Sequence, residues 1–168
     1  MVEEIDTAKK FDHGWDFWVR PENFDFWISN SHTGLGDYDT NKIPHFIRNA
    51  FINSIRNPDA IPRIKIWGYK YKGNYISGAC FAEEKHPMTN KRILTEIFWM
   101  LPGKKATTLK EKTALIKLLK HIENYGRANN FEYIQMGKVI GVHPEALDNF
   151  YLKSGYKPDS IVYSKKLK

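Results

Sequence analysis

The chain has 168 residues, of which 42% are hydrophobic and 27% charged, a composition typical of a globular protein with one buried core. No apolar run approaches the roughly 18 residues that cross a bilayer, and the acidic N-terminus differs from a signal peptide, so we expect no membrane segment. The single cysteine, Cys80, excludes an internal disulfide and a cysteine-rich zinc site, and a reducing, cytoplasmic setting is expected. The net charge of +7 favours anionic partners, or simply reflects solvated surface lysines.

The first 40 residues are irregular and rich in aromatic side chains. The aromatic residues at positions 15–27 either extend the core, shape a substrate pocket or offer a stacking surface for nucleic-acid bases. From Lys42 onward the apolar residues recur at helical spacing, which predicts a helix that ends at Asn57-Pro58-Asp59.

Three strands are predicted after this helix. Residues 63–84 form two of them around the turn Lys72-Gly73-Asn74, and residues 93–101 form the third. Short connections between consecutive strands indicate an antiparallel meander. A long helix follows, and it begins beside Leu109 because Thr108 and Glu111 have the spacing of a capping box.

The remaining elements complete one α/β domain over residues 1–168. The long helix has an apolar stripe predicted to be buried: Leu115, Leu118, Leu119, Ile122 and Tyr125. A strand at 131–137 follows, then a helix from about Pro144 to Lys153 and a terminal strand at 160–167. The predicted order is therefore helix, three strands, helix, strand, helix, strand.

Glu96 is a single carboxylate within the apolar third strand. Strict alternation places Leu94, Phe98 and Met100 on its face, and Trp99 on the opposite face. Burial disfavours a charged carboxylate and raises its pKa, which would make Glu96 a proton acceptor near neutral pH. The alternative is that Glu96 lies at the sheet surface and pairs with a lysine.

The loop before the long helix is basic. A helix N-terminus presents unpaired N–H groups and the positive end of the helix dipole, which together form an anion site. Lys104, Lys105 and Lys110 would add positive charge, whereas Thr108 and Glu111 would satisfy some of the donors themselves.

Other common site motifs are absent from the sequence. The six histidines are dispersed, with no pair at metal-ligand spacing beside a suitable acid, so no metal site is expected. The chain also lacks the Gly-x-Ser-x-Gly elbow of serine hydrolases and the phosphate-binding P-loop motif.

The order of elements and the end of the chain resemble the GNAT (Gcn5-related N-acetyltransferase) family. The ending FYLKSGYKPDSIVYSKKL, residues 150–167, is similar to the family's aromatic-Tyr pair, Gly-aromatic turn and final strand, and TEIFWML, residues 95–101, is similar to its central strand. The resemblance spans about residues 63–167. It implies a mixed, mostly antiparallel sheet flanked by helices, with an atypical N-terminal part over 1–60 and a cofactor-binding and catalytic core over 61–168.

The resemblance also implies acetyl transfer from acetyl-CoA to an amine-bearing acceptor, by direct attack of the amine. Glu96 matches the glutamate that accepts the amine proton, and Tyr151 matches the tyrosine that protonates the leaving thiolate. The main chain of Met100 and Leu101 would bind the pantetheine arm. The other implied cofactor-binding residues are Lys104, Lys105, Ala106, Thr107, Thr108 and Leu109 around the pyrophosphate, and Gln135, Met136 and Asn149 across the cleft.

The pyrophosphate loop departs from the family pattern of Arg or Gln, two residues, Gly, one residue, then Gly or Ala. The corresponding span here is GKKATTLK, and its only glycine, Gly103, comes too early. The alternative function is therefore a non-catalytic module of the same fold that binds a nucleic acid or a protein. The acceptor stays open among small amines, protein lysines and nucleic-acid amines, and a homodimer is also left open.

Overall fold

The computed structural model describes residues 1–14, 42–59, 61–100, 109–137 and 144–158. The aromatic segment at 15–27 and the terminal strand at 160–167 lie outside the described residues. So do six of the implied cofactor-binding residues: Leu101, Lys104, Lys105, Ala106, Thr107 and Thr108.

Within the described residues, five strands form one sheet whose spatial order follows the chain. They are β1 (Val2–Glu4), β2 (Arg63–Tyr71), β3 (Asn74–Lys85), β4 (Arg92–Met100) and β5 (Tyr133–Gln135). Neighbouring strands run antiparallel from β1 to β4, and β5 runs parallel to β4. The predicted meander and the mixed, mostly antiparallel sheet are confirmed. The strand predicted at 131–137 is shorter than expected.

The β2–β3 hairpin closes with the two-residue loop Lys72-Gly73, because Tyr71 pairs with Asn74. Lys72 has φ of 49° and Gly73 has φ of 84°, so both central residues adopt the left-handed conformation that a tight hairpin turn needs. Glycine adopts this conformation at no steric cost. The hairpin predicted at this position is confirmed.

In the described part of the chain, four helices accompany the sheet: α1 (Ala8–His13), α2 (Lys42–Arg56), α3 (Leu109–Ala128) and α4 (Pro144–Lys153). α2 and α4 begin and end where the sequence predicts, and α3 begins at the predicted Leu109. β1 and α1 were not predicted, because elements of three and six residues are too short to show a period. Thr7 stabilises the start of α1, since its hydroxyl accepts a hydrogen bond from Lys10 N–H at 3.2 Å.

The main core lies between α3 and the sheet. Its buried members are Trp67, Tyr69, Ala79, Phe81, Leu94, Trp99, Ala114, Leu118, Leu119 and Ile122. This set contains most of the predicted α3 stripe; Leu115 and Tyr125 are only partly buried and pack against it. The helix lies close to the sheet at Gly126, where an added Cβ would meet Leu94 and Ile134 at 3.5 Å. Elsewhere α2 contacts β2, and the Ser54 hydroxyl accepts the Ile64 N–H at 2.9 Å.

A β-bulge at Ile97 overturns strict alternation along β4. Glu96 pairs with Phe81 and Phe98 pairs with Cys80, so Ile97 has no partner on β3, and its side chain is 45% exposed. The prediction of strict alternation beyond Glu96 is therefore wrong. Trp99 pairs with Ala79, so it lies on the face of Glu96, opposite to the prediction.

Candidate active site

The backbone pairing between β4 and β5 ends at Thr95 and Gln135. One residue further along β4, the Glu96 side chain continues the connection: its Oε2 accepts a hydrogen bond from Gly137 N–H at 2.9 Å. The carboxylate therefore bridges the two strands at the position where their parallel pairing stops.

Tyr151 brings α4 to the same carboxylate. Its side chain is buried, with 8% exposure, and its hydroxyl donates to Glu96 Oε2 at 3.2 Å. The Gly137 carbonyl oxygen lies 3.4 Å from the same hydroxyl as a second acceptor. Two residues that are 55 positions apart, and that the resemblance implicates in proton transfer, are thus in direct contact.

Burial raises the pKa of Glu96 from its usual 4.5 to about 7. Hydrogen bonds favour the charged form and partly offset this effect; they come from Gly137 N–H and the Tyr151 hydroxyl. No lysine or arginine within the described residues forms an ion pair with Glu96, which argues against the surface ion pair that the sequence left open. The predicted rise in pKa is confirmed. A carboxyl group with this pKa exchanges its proton readily at neutral pH.

The indole N–H of Trp99 is a third polar group beside Glu96. Strict alternation had predicted that Trp99 lies on the opposite face of the strand. Its side chain is 5% exposed and packs edge-on against Phe81, with ring centroids 6.1 Å apart. The indole N–H lies near enough to Glu96 to lower the pKa of the carboxyl group, yet Nε1 has no hydrogen-bond partner in the described part of the chain. We therefore treat its effect as electrostatic and weaker than a hydrogen bond. The bulge at Ile97, which brings Trp99 to this face, has no signature in the sequence.

Tyr151 keeps its proton over the whole physiological range. Burial raises the pKa of its hydroxyl, and the adjacent negative charge of Glu96 raises it further. The Tyr151 ring packs between Phe150 and Tyr156, at centroid distances of 5.7 and 5.8 Å. These contacts fix the hydroxyl, so Tyr151 is positioned as a proton donor to a stronger base.

The remaining implied cofactor residues that the structure describes have no described hydrogen bond to Glu96 or Tyr151. Gln135 ends β5 and is exposed, Met136 packs partly buried against the main core, and Asn149 is exposed on α4. Leu109 is the first residue of α3 and is 80% exposed. Met100 ends β4, where it pairs with Gly78. The cofactor-binding roles of these five residues stay predictions.

The described ranges contain neither a metal-ligand cluster nor a membrane span. No group of three or more His, Cys, Asp or Glu side chains there could hold a metal ion. Within the same ranges, none of the helices is long and apolar enough to cross a bilayer.

Comparison with known proteins identifies the fold. No family model and no curated protein sequence match the chain. Solved structures match over nearly its whole length. A predicted acetyltransferase with acetyl-CoA from Clostridium acetobutylicum has a TM-score of 0.65 and 16% identity, covering 99% of this chain and 96% of that one. A probable acetyltransferase has a TM-score of 0.65 and 14% identity, covering 100% and 97%.

An aminoglycoside acetyltransferase from an uncultured soil metagenomic sample has a TM-score of 0.64 and 12% identity, covering 100% of this chain and 98% of that one. Identities this low show likeness of fold alone. The chain therefore has the fold of GNAT-type acetyltransferases, as the resemblance implied.

Proposed function

We propose that the protein is an acyl-CoA-dependent N-acyltransferase that transfers an acetyl group from acetyl-CoA to a primary amine by direct attack. The observation that carries the proposal is the carboxyl group of Glu96, with a pKa of about 7, in contact with the protonated hydroxyl of Tyr151. Acyl transfer to an amine requires a base for the ammonium proton and an acid for the leaving group. The likeness in fold to named acetyltransferases, one of them with acetyl-CoA, supports the same class of reaction.

The end of β4 suits the acyl donor. Beyond Thr95, residues 96–100 have no partner on the β5 side among the described residues, so their main-chain groups are available to an extended ligand. The first turn of α3 from Leu109 presents N–H groups at the positive end of the helix dipole, which suits a phosphate, and Lys110 lies beside them. Acetyl-CoA, when bound, would supply an activated thioester carbonyl.

The residues of the chain would divide the proton transfers between them. Glu96 accepts the proton of the attacking amine, directly or through a water molecule. Tyr151 gives its hydroxyl proton to the departing sulfur. The proton held by Glu96 then returns to Tyr151 along their 3.2 Å hydrogen bond, which restores both groups. Main-chain N–H groups near Met100 would stabilise the negative charge on the carbonyl oxygen.

Binding of the donor is the first test. Isothermal titration calorimetry with acetyl-CoA, together with mass spectrometry of the purified protein, would detect the ligand and any copurified form. A ligand at 100 times its dissociation constant stabilises the fold by about 2.7 kcal/mol, so a thermal scan should show a clear increase in Tm. Absence of both heat and shift would remove the enzyme and leave a non-catalytic binding module.

Turnover is the second test. A panel of small amines, lysine peptides and aminoacylated or amine-bearing nucleic acids would be screened for release of free thiol from acetyl-CoA. Glu96→Gln is the control that keeps the shape of the site. Thiol release that depends on both the amine and Glu96 is the expected result. Release that is independent of the amine would indicate thioester hydrolysis and would contradict the proposal.

A further inference from the structure

Three lysines and two tyrosines form a patch along β2 and α3. Lys110 Nζ lies 4.8 Å from the centroid of the Tyr71 ring, and Lys72 Nζ lies 5.8 Å from the same centroid. Tyr69 precedes Tyr71 by two residues on β2, and Lys117 Nζ lies 5.9 Å from the centroid of the Tyr69 ring. We call these five residues the lysine–tyrosine patch.

No carboxylate among the described side chains neutralises the charges of this patch. Four other described lysines do pair with carboxylates: Lys10 with Asp6 at 2.8 Å, Lys65 with Glu4 at 2.5 Å, Lys70 with Glu3 at 3.0 Å and Lys91 with Glu132 at 3.5 Å. No described carboxylate lies within ion-pair distance of Lys72, Lys110 or Lys117. A tyrosine ring attracts an ammonium group without cancelling its charge, so the positive field of the patch is retained.

The arrangement is also ordered and accessible. All three lysines are exposed, Tyr71 is 36% exposed, and Tyr69 is anchored in the core. Lys110 and Lys117 are seven residues apart, so they are separated by about 10 Å along one side of α3. The rings below them are two residues apart on β2, on one face of the sheet. Because the rings restrict the lysine side chains in advance, a ligand loses less conformational entropy on binding them.

From these observations we infer that the lysine–tyrosine patch binds the phosphate backbone of a nucleic acid without reading its bases. The ammonium groups follow the row of rings from the β2–β3 turn along α3, as a linear polyanion requires. The rings of Tyr69 and Tyr71 are covered by ammonium groups and are therefore poor platforms for base stacking. The inference does not require acyl transfer, although Lys110 also lies beside the proposed phosphate site at the start of α3, and its test measures nucleic-acid binding directly.

The test is fluorescence anisotropy with a labelled 20-nucleotide single strand and a 20-base-pair duplex, at several KCl concentrations. The patch variant is Lys72→Gln with Lys110→Gln and Lys117→Gln. The control variant is Lys9→Gln with Lys85→Gln and Lys153→Gln, which removes the same charge from exposed lysines outside the patch.

For a single strand, each phosphate contact contributes about 0.7 to the slope of log K against log[salt], and for a duplex about 0.9. The patch variant should therefore lose about 2 from the slope on the single strand, with at least tenfold weaker binding at about 100 mM salt, and the control should keep the parent slope. Equal losses in both variants would overturn the inference, as would no binding by the parent at about 50 mM salt. The inference would also be overturned if the patch variant bound nucleic acid as the parent does but bound acetyl-CoA more weakly. Binding of the parent to phosphatidylserine vesicles instead of nucleic acid would overturn it as well.

A second variant pair keeps all the charges. Tyr71→Leu removes the ring that Lys72 and Lys110 share, whereas Tyr71→Phe retains a ring. Because Tyr71 lies at the surface end of β2, both variants should fold, which circular dichroism would check. Nucleic-acid affinity should fall several-fold in the leucine variant and stay at the parent level in the phenylalanine variant. Equal affinity of all three proteins would show that the rings do not order the lysines.

Discussion

The Tyr151 hydroxyl donates a hydrogen bond to Glu96 Oε2 at 3.2 Å, and each group changes the pKa of the other. The hydrogen bond lowers the pKa of Glu96, while the charge of Glu96 raises the pKa of Tyr151. The resemblance implied two separate roles, a base and an acid. Direct contact makes them a coupled pair, so substitution of either residue should change the titration of the other.

Glu96→Gln should lower the turnover of a substrate amine by about 10²–10⁴, because the amide keeps the shape but cannot accept the proton. In the parent, activity should increase as the pH rises through about 7, where Glu96 loses its proton. The loss in the variant should be largest near neutral pH and smaller at high pH, where free amine is abundant. Initial rates across pH 5–10 would measure both effects. A variant with the parent's rate and pH profile would show that Glu96 is not the base.

Tyr151→Phe should lower turnover. It should also move the rise of activity with pH, which the parent shows near pH 7, to higher pH. The shift follows because the Tyr151 hydroxyl stabilises the charged form of Glu96, and its removal raises the pKa of that carboxyl group. Affinity for acetyl-CoA should stay close to the parent value. Tyr156→Phe is the matched control, since its hydroxyl bonds Glu123 at 3.4 Å. An equal shift in both variants would contradict the specific coupling.

Trp99→Phe should also move the rise of activity with pH to higher pH, by a smaller amount than Tyr151→Phe does. The phenylalanine keeps a ring against Phe81 but removes the indole N–H, whose electrostatic effect lowers the pKa of Glu96. Carboxyl ¹³C NMR of Glu96 against pH would measure this pKa without any assay of turnover. A lower pKa in the variant would mean that the indole N–H does not act on the carboxylate.

The raised pKa of Glu96 should also appear in folding stability. The folded state binds this proton up to about pH 7 and the unfolded state only to about 4.5, so Glu96's favourable contribution is complete below pH 4.5 and is lost as the pH rises through 7. Relative to the parent, Glu96→Gln should therefore gain up to about 3 kcal/mol between pH 5 and pH 8. Urea unfolding at both pH values would measure the difference. Glu132→Gln, at an exposed ion pair with Lys91, should show little pH-dependent change.

Leu118→Ala should destabilise the fold by about 2–5 kcal/mol, because Leu118 is fully buried in the main core between α3 and the sheet. Ile116→Ala is the matched control on the same helix, since Ile116 is 47% exposed, and it should cost less than about 1 kcal/mol. Urea denaturation monitored by circular dichroism would compare the two variants. Similar losses would show that α3 presents a different face to the sheet.

Local chemistry determined the elements that the sequence predicted correctly. The periodic apolar residues of α2, α3 and α4 lie on one side of each helix pattern, and the turn at Lys72-Gly73 needs a residue that tolerates positive φ. Each of these signals lies within a short stretch of consecutive residues, so it can be recognised in the sequence. The acid in an apolar strand was equally visible, and so was the consequence that burial raises the pKa of Glu96.

The tertiary structure alone decided which groups meet that acid. The bulge at Ile97 turns Trp99 toward Glu96, and a bulge depends on the pairing of β4 with β3 more than on the residue it contains. The contact of Glu96 with Gly137 exists because the pairing of β4 with β5 stops at Thr95, and α4 must pack beside both strands before Tyr151 can reach the carboxylate. Likewise, the patch lysines differ from those elsewhere only through their spatial neighbours. Each of these contacts joins residues that are far apart in the sequence. No local sequence pattern predicts such contacts, because they depend on how the strands and helices pair in the folded chain.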